Sequence, residues 1–265
     1  LVHGAREADP VEQRVVGADR EREAQRHRPH ALKTRTRPGR LAALDAWLNH
    51  ERPELLVGER VVVDFGFGQS AVTTQEWRAS IVDPRVRVIG VEREVTAPLA
   101  GIELVQGGFE TCGSLGPASV VRAMNVLRGY REDEVAPARA ALLSALEPGG
   151  LLLEGSSDTE GHLLALSLLQ PGADREGLLF FTDFSRGFSP WLFRDWLPRH
   201  LRRSVKPGTA IHDLFSRWEA RAAATRTTDP RERFLASLGD DVEATPWECE
   251  HGFARATQAF QPVAK

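Results

Sequence analysis

Cysteine is nearly absent: the 265-residue chain has two, Cys112 and Cys249. They lie far apart with no metal-type spacing, which excludes a disulfide framework and suits a reducing cytosol. Long apolar runs are also missing. The longest pieces, such as Ala165-Leu-Ser-Leu-Leu169, are too short to span a bilayer. The first twenty residues lack the apolar centre of a signal peptide. A net charge of −3 gives no strong pull toward nucleic acid or membrane. No internal repeat is visible. These absences predict a soluble, cytoplasmic protein with no membrane partner and no metal site, and 42% hydrophobic residues suffice for one large core.

Charge is distributed unevenly. Between Arg20 and Arg40 eight Lys/Arg face two Glu. Residues 1–40 are therefore expected to form a basic, loosely ordered arm. The run lacks the interleaved aromatics that single-stranded nucleic acid stacks upon, so an RNA-contacting role is not favoured. A second reading folds Arg35, Arg37 or Arg40 over a ligand cleft as a lid.

From residue 41 the patterning becomes regular. Leu41, Leu44, Trp47 and Leu48 share one helical face, and Pro53 ends the segment. Strands are predicted near 60–65, 86–92, 102–106, 118–124 and 150–155, with helices near 69–81 and 132–146. Pro137 is placed in the first turn of the second helix or at a kink. This alternation predicts a parallel α/β sheet. Beyond Gly155 the signal weakens. A strand is read at 177–184, helices at 190–197, 211–224 and 229–239, and 247–260 fits either type. Trp191, Trp196 and Trp218 are expected to pack a C-terminal core.

The chemistry concentrates in Val61-Val-Val-Asp-Phe-Gly-Phe-Gly68 and Val88-Ile-Gly-Val-Glu92. An apolar strand that ends in an acid and two spaced glycines suits a nucleoside-binding turn. A second strand ending in Glu92 puts a carboxylate where a ribose would lie. Gly66 to Ala71 fits the dinucleotide fingerprint, so a nicotinamide-dependent oxidoreductase is one reading. Asp64 argues for another, because a carboxylate two residues before the first glycine repels a pyrophosphate and welcomes an ammonium. Leu146-Glu-Pro-Gly-Gly-Leu-Leu-Leu153 adds a helix end, a turn and a buried strand.

Over roughly residues 58–157 the chain resembles the class I S-adenosylmethionine (SAM)-dependent methyltransferases. Asp64-Phe-Gly-Phe-Gly68, Glu92, the stretch Ala118 to Leu127 and the Pro-Gly-Gly segment carry the resemblance. Asp-Phe-Gly-Phe-Gly-Gln-Ser-Ala-Val-Thr-Thr, Gly-Gly-Phe-Glu and Met-Asn-Val-Leu-Arg-Gly-Tyr look like an actinobacterial methyltransferase group of unassigned substrate. The resemblance implies a Rossmann-like doubly wound sheet of seven strands, one antiparallel, with a helical C-terminal elaboration that shapes the acceptor pocket. It implies methyl transfer from SAM to an unidentified acceptor, leaving S-adenosylhomocysteine (SAH). Small molecule, RNA and protein all remain open as acceptors, with a small molecule ahead because the chain is mildly acidic overall. It also implies cofactor roles for Asp64, Phe65, Gly66, Gly68, Glu92, Gly108, Phe109 and Asn125. Asp64 would face the methionine ammonium through water, and Glu92 would accept from both ribose hydroxyls. Gly108 and Phe109 would lie at adenine, and Asn125 beside the transferable methyl. Replacing Asp64 or Gly66 is then expected to abolish cofactor binding and leave the fold mostly intact.

Three departures stand out. Ser70 replaces the usual third glycine, Gly108 replaces an acid with Glu110 two positions on, and no Asn/Asp-Pro-Pro-aromatic signature follows the fourth strand. Asp158, His162 and Tyr130 are the polar groups expected at the open end of the sheet. No catalytic base is assigned. A protein that binds SAM without turnover, with an RNA-contacting arm, is the remaining alternative.

Overall fold

The computed structural model describes residues 36–260 except 96 and 174. The chain divides into two units, Leu1–Lys33 and Thr34–Lys265. The first unit, with most of the basic arm and also Arg35, lies outside the described residues.

Five parallel strands form the first half of the sheet: β1 (Val61–Phe65), β2 (Arg87–Glu92), β3 (Glu103–Gln106), β4 (Ala118–Met124) and β5 (Leu146–Ser157). All seven residues of β4 and four of the five in β1 are buried. That near-continuous burial is what covering a parallel sheet on both faces demands. The Pro-Gly-Gly segment does not precede β5 but belongs to it. Leu146 already pairs with Ala118, and the register shifts before Val120 pairs with Leu151. Gly150 sits in that irregularity, where a Cβ would lie 2.9 Å from the Ala118 carbonyl oxygen.

The second half departs from expectation. The sheet has nine strands in the order β3-β2-β1-β4-β5-β6-β7-β9-β8, not seven. The added strands are β6 (Leu163–Leu169), β7 (Glu176–Thr182), β8 (Val242–Glu243) and β9 (Phe253–Phe260), each antiparallel to its neighbours. β6 and β9 therefore run against β1–β5, where one reversed strand was expected. The short connection from Ser157 to Leu163 has no room for a crossover helix, so it can only join antiparallel neighbours. His162 consequently stands just before β6.

Helices cover both faces. On one face α1 (Ala42–Glu51), α2 (Val72–Ser80) and α7 (Pro246–His251) lie over a core that includes Trp47, Trp77, Leu166, Phe181 and Phe253. On the other, α3 (Glu132–Ser144) covers Val63, Val121 and Leu152. Beside it α4 (Arg199–Ser204), α5 (Ala210–Ala224) and α6 (Pro230–Ser237) pack around Phe180, Phe193, Phe215, Trp218 and Phe234. Trp218 is fully buried, whereas Trp191 and Trp196 are half-buried at the rim of that cluster. Pro137 lies inside α3, beyond its first turn.

A charged group divides the apolar contents of this second face. Arg139 of α3 meets Glu176 of β7, and its Nε lies 3.7 Å from Glu154 Oε2 of β5. His200 Nε2 contacts Glu176 Oε1 at 2.6 Å. Glu154 and Glu176 are 1% and 0% exposed. Glu154 Oε2 and the facing Ser167 hydroxyl have no hydrogen-bond partner among the described residues. Burial pushes the Glu154 carboxyl up to about 7, with Arg139 pulling it down and Glu176 adding to the rise.

Candidate functional site

The carboxyl ends of β1, β2, β4 and β5 meet at one edge of the sheet, and the sequence motifs meet there with them. Leaving β1, Gly66 and Gly68 take left-handed φ values of +68° and +74°. The two glycines differ in what surrounds them. A Cβ on Gly66 would lie 2.7 Å from Val126 Cγ2, so packing between the β1 and β4 loops itself requires glycine. At Gly68 the nearest atom would be Thr36 Oγ1, 4.0 Å away, and the space there is open.

Glu92 ends β2 beside this turn. Its Oε2 accepts from the Gly68 amide at 2.7 Å, and its Oε1 from the Arg93 amide at 2.8 Å. Each oxygen keeps a further lone pair, so the half-buried carboxylate can still accept from two hydroxyls of a vicinal diol. Its main-chain oxygen accepts from Gly107 at 2.9 Å, tying the β3 loop to the same point. At the next residue the Gly108 amide donates to Glu110 Oε1 at 2.6 Å. Glu110 thus holds its own loop. Phe109 is half-buried between Phe65 and Tyr130, with ring centroids 5.9 and 5.6 Å away. Phe65 is 3% exposed, which leaves only its main chain for a ligand.

Asp64 lies differently from expectation. It is 3% exposed, and both oxygens are engaged. Arg122 Nε donates to Oδ1 at 2.9 Å and Nη2 to Oδ2 at 2.7 Å, while the Thr74 hydroxyl donates to Oδ2 at 2.6 Å. Arg122 is wholly buried in β4. It also pairs with Asp45 of α1, donates to the Thr73 carbonyl at 3.0 Å and lies 4.3 Å from the Trp77 ring centre. One guanidinium therefore serves two buried carboxylates. Burial pushes Asp45 up to about 7, against the pull of Arg122 and with a further push from Asp64. Replacing Asp64 would strand part of this cation, so the expectation that such a variant keeps its fold is revised.

Asn125 follows β4 with φ +63°, a conformation that asparagine tolerates better than most residues. Its amide group exchanges hydrogen bonds with Ser157 at the end of β5, 3.2 Å to the hydroxyl and 3.3 Å from the main-chain nitrogen. The segment entering α1 crosses here. Arg40 Nε donates to Ser157 Oγ at 2.9 Å, Arg37 Nη1 to Glu160 at 2.6 Å, and the Gly39 amide to Glu76 at 2.7 Å. A Cβ on Gly161 would meet the Arg40 carbonyl oxygen at 2.4 Å, so the strap is seated where only glycine leaves room. The lid expected of Arg37 and Arg40 is thus part of this body.

Beyond Ser157 the edge carries a polar pair. His162 Nδ1 meets Asp183 Oδ2 at 2.6 Å, and Asp158 accepts from the Gly161 and His162 amides while pairing with Arg186 at 2.8 Å. Arg122 was missed in the sequence, although a cation inside Ala118-Ser-Val-Val-Arg-Ala-Met124 signals a buried acidic partner. Among the described residues no group of His, Cys, Asp and Glu could hold a metal ion. None of the described helices is long and apolar enough to cross a membrane.

No family model matches the chain, and no curated protein matches it. Among solved structures it is similar to the MycE methyltransferase of the mycinamycin biosynthetic pathway, crystallised with Mg, SAH and mycinamycin VI. The identity is 16% over 59% of this chain and 44% of that one, with a TM-score of 0.33. A SAM-dependent methyltransferase from Thiobacillus denitrificans in complex with SAH matches at 19% identity over 48% and 52% of the two chains, TM-score 0.33. Magnesium protoporphyrin IX methyltransferase from Synechocystis PCC 6803, with bound SAH, matches at 17% over 58% and 63%, TM-score 0.34. The chain thus spans between 44% and 63% of the length of these proteins. Likenesses this loose carry no assignment.

Proposed function

We propose that the carboxyl edge of the sheet binds S-adenosylmethionine and transfers its methyl group to a small-molecule acceptor. The observation that carries this reading is the Glu92 carboxylate on the Gly68 amide. A dinucleotide enzyme needs the amides of its glycine turn for the pyrophosphate. Here a negative charge holds that amide, which works against a nicotinamide dinucleotide and suits a cofactor without phosphate. Glu92 supplies acceptors for a ribose diol, and open Gly68 lets backbone and ligand approach. Asp64 acts indirectly, holding the Gly66–Gly68 turn through Arg122 and Thr74. Gly108 and Phe109 border the place of the adenine, and Asn125 fixes the β4 loop beside the reacting atoms.

SAM supplies a methyl group on a sulfonium, already strongly electrophilic. The acceptor's lone pair forms the new bond to the methyl carbon, the carbon–sulfur pair returns to sulfur, and SAH leaves with a proton released from the acceptor. What the protein adds is alignment. His162, fixed at Nδ1 by Asp183, presents Nε2 as the group able to take that proton. The test is calorimetric titration with SAH and with NADH. Wild type is expected to bind SAH and not NADH. Glu92→Ala is expected to lose at least tenfold in SAH affinity, since two hydrogen bonds to a charged acceptor, each worth about 1.5–3 kcal/mol, disappear. Unchanged SAH affinity, or binding of NADH alone, would overturn the reading.

A further inference from the structure

A group of arginines stands at the same edge without the carboxylates that neutralise charge elsewhere in the molecule. Arg128 lies in the turn Leu127–Gly129, three residues after Asn125. Its Nη1 donates to the Asp195 main-chain oxygen at 2.7 Å, and its guanidinium lies 4.7 Å from the Trp196 ring centre. Arg199 Nε donates to the Tyr130 carbonyl at 3.0 Å, and Arg93 Nη2 meets the Tyr130 hydroxyl at 3.2 Å. The guanidinium of Arg202, one turn along α4 from Arg199, makes no hydrogen bond or ion pair among the described residues. Arg128, Arg199 and Arg202 are all half-buried, and none has a carboxylate within ion-pair distance among those residues.

These groups feel one another. Burial lowers all three from the ordinary arginine value. Neighbouring arginines add to this: Arg199 and Arg40 lower Arg128, Arg203 and Arg202 lower Arg199, and Arg128 and Arg203 lower Arg202. Two carboxylates oppose this crowding. Asp195 acts on Arg128 and Arg202, and Glu132, which pairs with Arg203 at 3.6 Å, acts on Arg199. Half-buried cations without partners are unfavourable, and an anion would relieve them. Arg128 spends one of its five N–H donors on Asp195, leaving a planar fork of the shape that carboxylate and phosphate oxygens match. The backbone of Arg128 lies within about 10 Å of Asn125, the reach of three extended residues.

We infer that Arg128, Arg199 and Arg202 form an anion-binding subsite that takes a phosphate or carboxylate group of the methyl acceptor. This rests on the methyl-transfer reading for the word acceptor, though not for the site itself. A small anion fits better than RNA, because the patch joins one short turn to a short helix beside the half-buried Trp196, and no row of exposed aromatics among the described residues continues it.

Titration with inorganic phosphate and with citrate, at low ionic strength and with SAH present, tests the inference. Submillimolar binding of either ion is expected, weakened at least tenfold in Arg202→Gln and further in Arg128→Gln/Arg202→Gln, with SAH affinity unchanged. Preference for phosphate or for citrate names the group. Arg202→Gln removes no side-chain hydrogen bond or ion pair among the described residues, so its loss of binding cannot be ascribed to misfolding. Equal anion affinity in wild type and both variants would overturn the subsite. A ten-nucleotide RNA bound a hundredfold tighter than phosphate, and released by the same substitutions, would overturn the small-molecule class. Anion binding lost in the variants while SAH never binds would keep the subsite and sink methyl transfer.

Discussion

Arg122→Met is expected to destabilise the protein by about 3–5 kcal/mol at pH 8, the cost of breaking a buried ion pair from one side. The side chain it removes is fully buried, hydrogen-bonded to Asp64 and Asp45, and stacked over Trp77. Methionine replaces the volume and leaves two carboxylates without their cation. They then survive only by taking up protons, and their pKa values rise above those of unfolded carboxyls. A raised carboxyl pKa contributes stability at low pH and loses it as pH climbs through the folded value. The deficit of the variant should therefore shrink between pH 8 and pH 5. Urea denaturation of both proteins at the two pH values measures it. A loss below about 1 kcal/mol at pH 8 would contradict the burial of this group.

The second large effect runs the other way. Glu154→Gln should leave stability unchanged near pH 4.5, raise it progressively above wild type between there and pH 7, and hold that gain at higher pH. Glutamine copies the protonated side chain, and Glu154 in the wild type holds its proton to about 7 because burial disfavours its charge. The ordinary glutamate value is 4.5, so wild type loses stability across the window from there to about 7. A gap of that size is worth about 3 kcal/mol as an upper figure. Other members of the cluster titrate with the opposite sign. Burial holds His200 below its usual value, so it costs stability as pH falls. Glu176, despite burial, is brought low by His200 and Arg139, which also favours higher pH. Only the difference between variant and wild type isolates Glu154. A difference in denaturation midpoint that stays flat from pH 5 to pH 8 would refute the assignment.

Much of the first half of the molecule was readable from its sequence because Val61–Val63 runs into Asp64 and a glycine turn, and Val88–Val91 into Glu92. β1, β2, β4 and α2 fall close to where their patterns put them. The second half was readable in part: β7, α5 and α6 also fall close to their patterns, while β6 and the final segment did not declare themselves, for two physical reasons. Leu163 to Leu169 is apolar on both faces and seven residues long, so periodicity cannot distinguish strand from helix. Residues 246–260 resisted assignment because they are both, with α7 ending at Gly252 in a left-handed cap before β9 begins. At the site, Gly66, Gly68 and Glu92 come together as their spacing suggested. Asp64 was legible as a strand-end acid, yet its partner lies 58 residues on in another strand. The arginine patch was illegible for the same reason, since Arg128 lies in a turn and Arg202 on a helix more than 70 residues later, which no local pattern connects.

The strap from Arg37 to Arg40 has a consequence in time as well as in space. Arg40 docks on Ser157, 117 residues later in the chain. A ribosome working at about 5–20 residues per second needs roughly 6–23 s to make that distance. Throughout that interval the earliest part of the body has no seat, because Gly161 and β6 have not yet been synthesised. The strap therefore docks only when the middle of the polypeptide has emerged and folded. Nascent chains halted before residue 161 should accordingly carry the glycine turn and Glu92 without the docked strap.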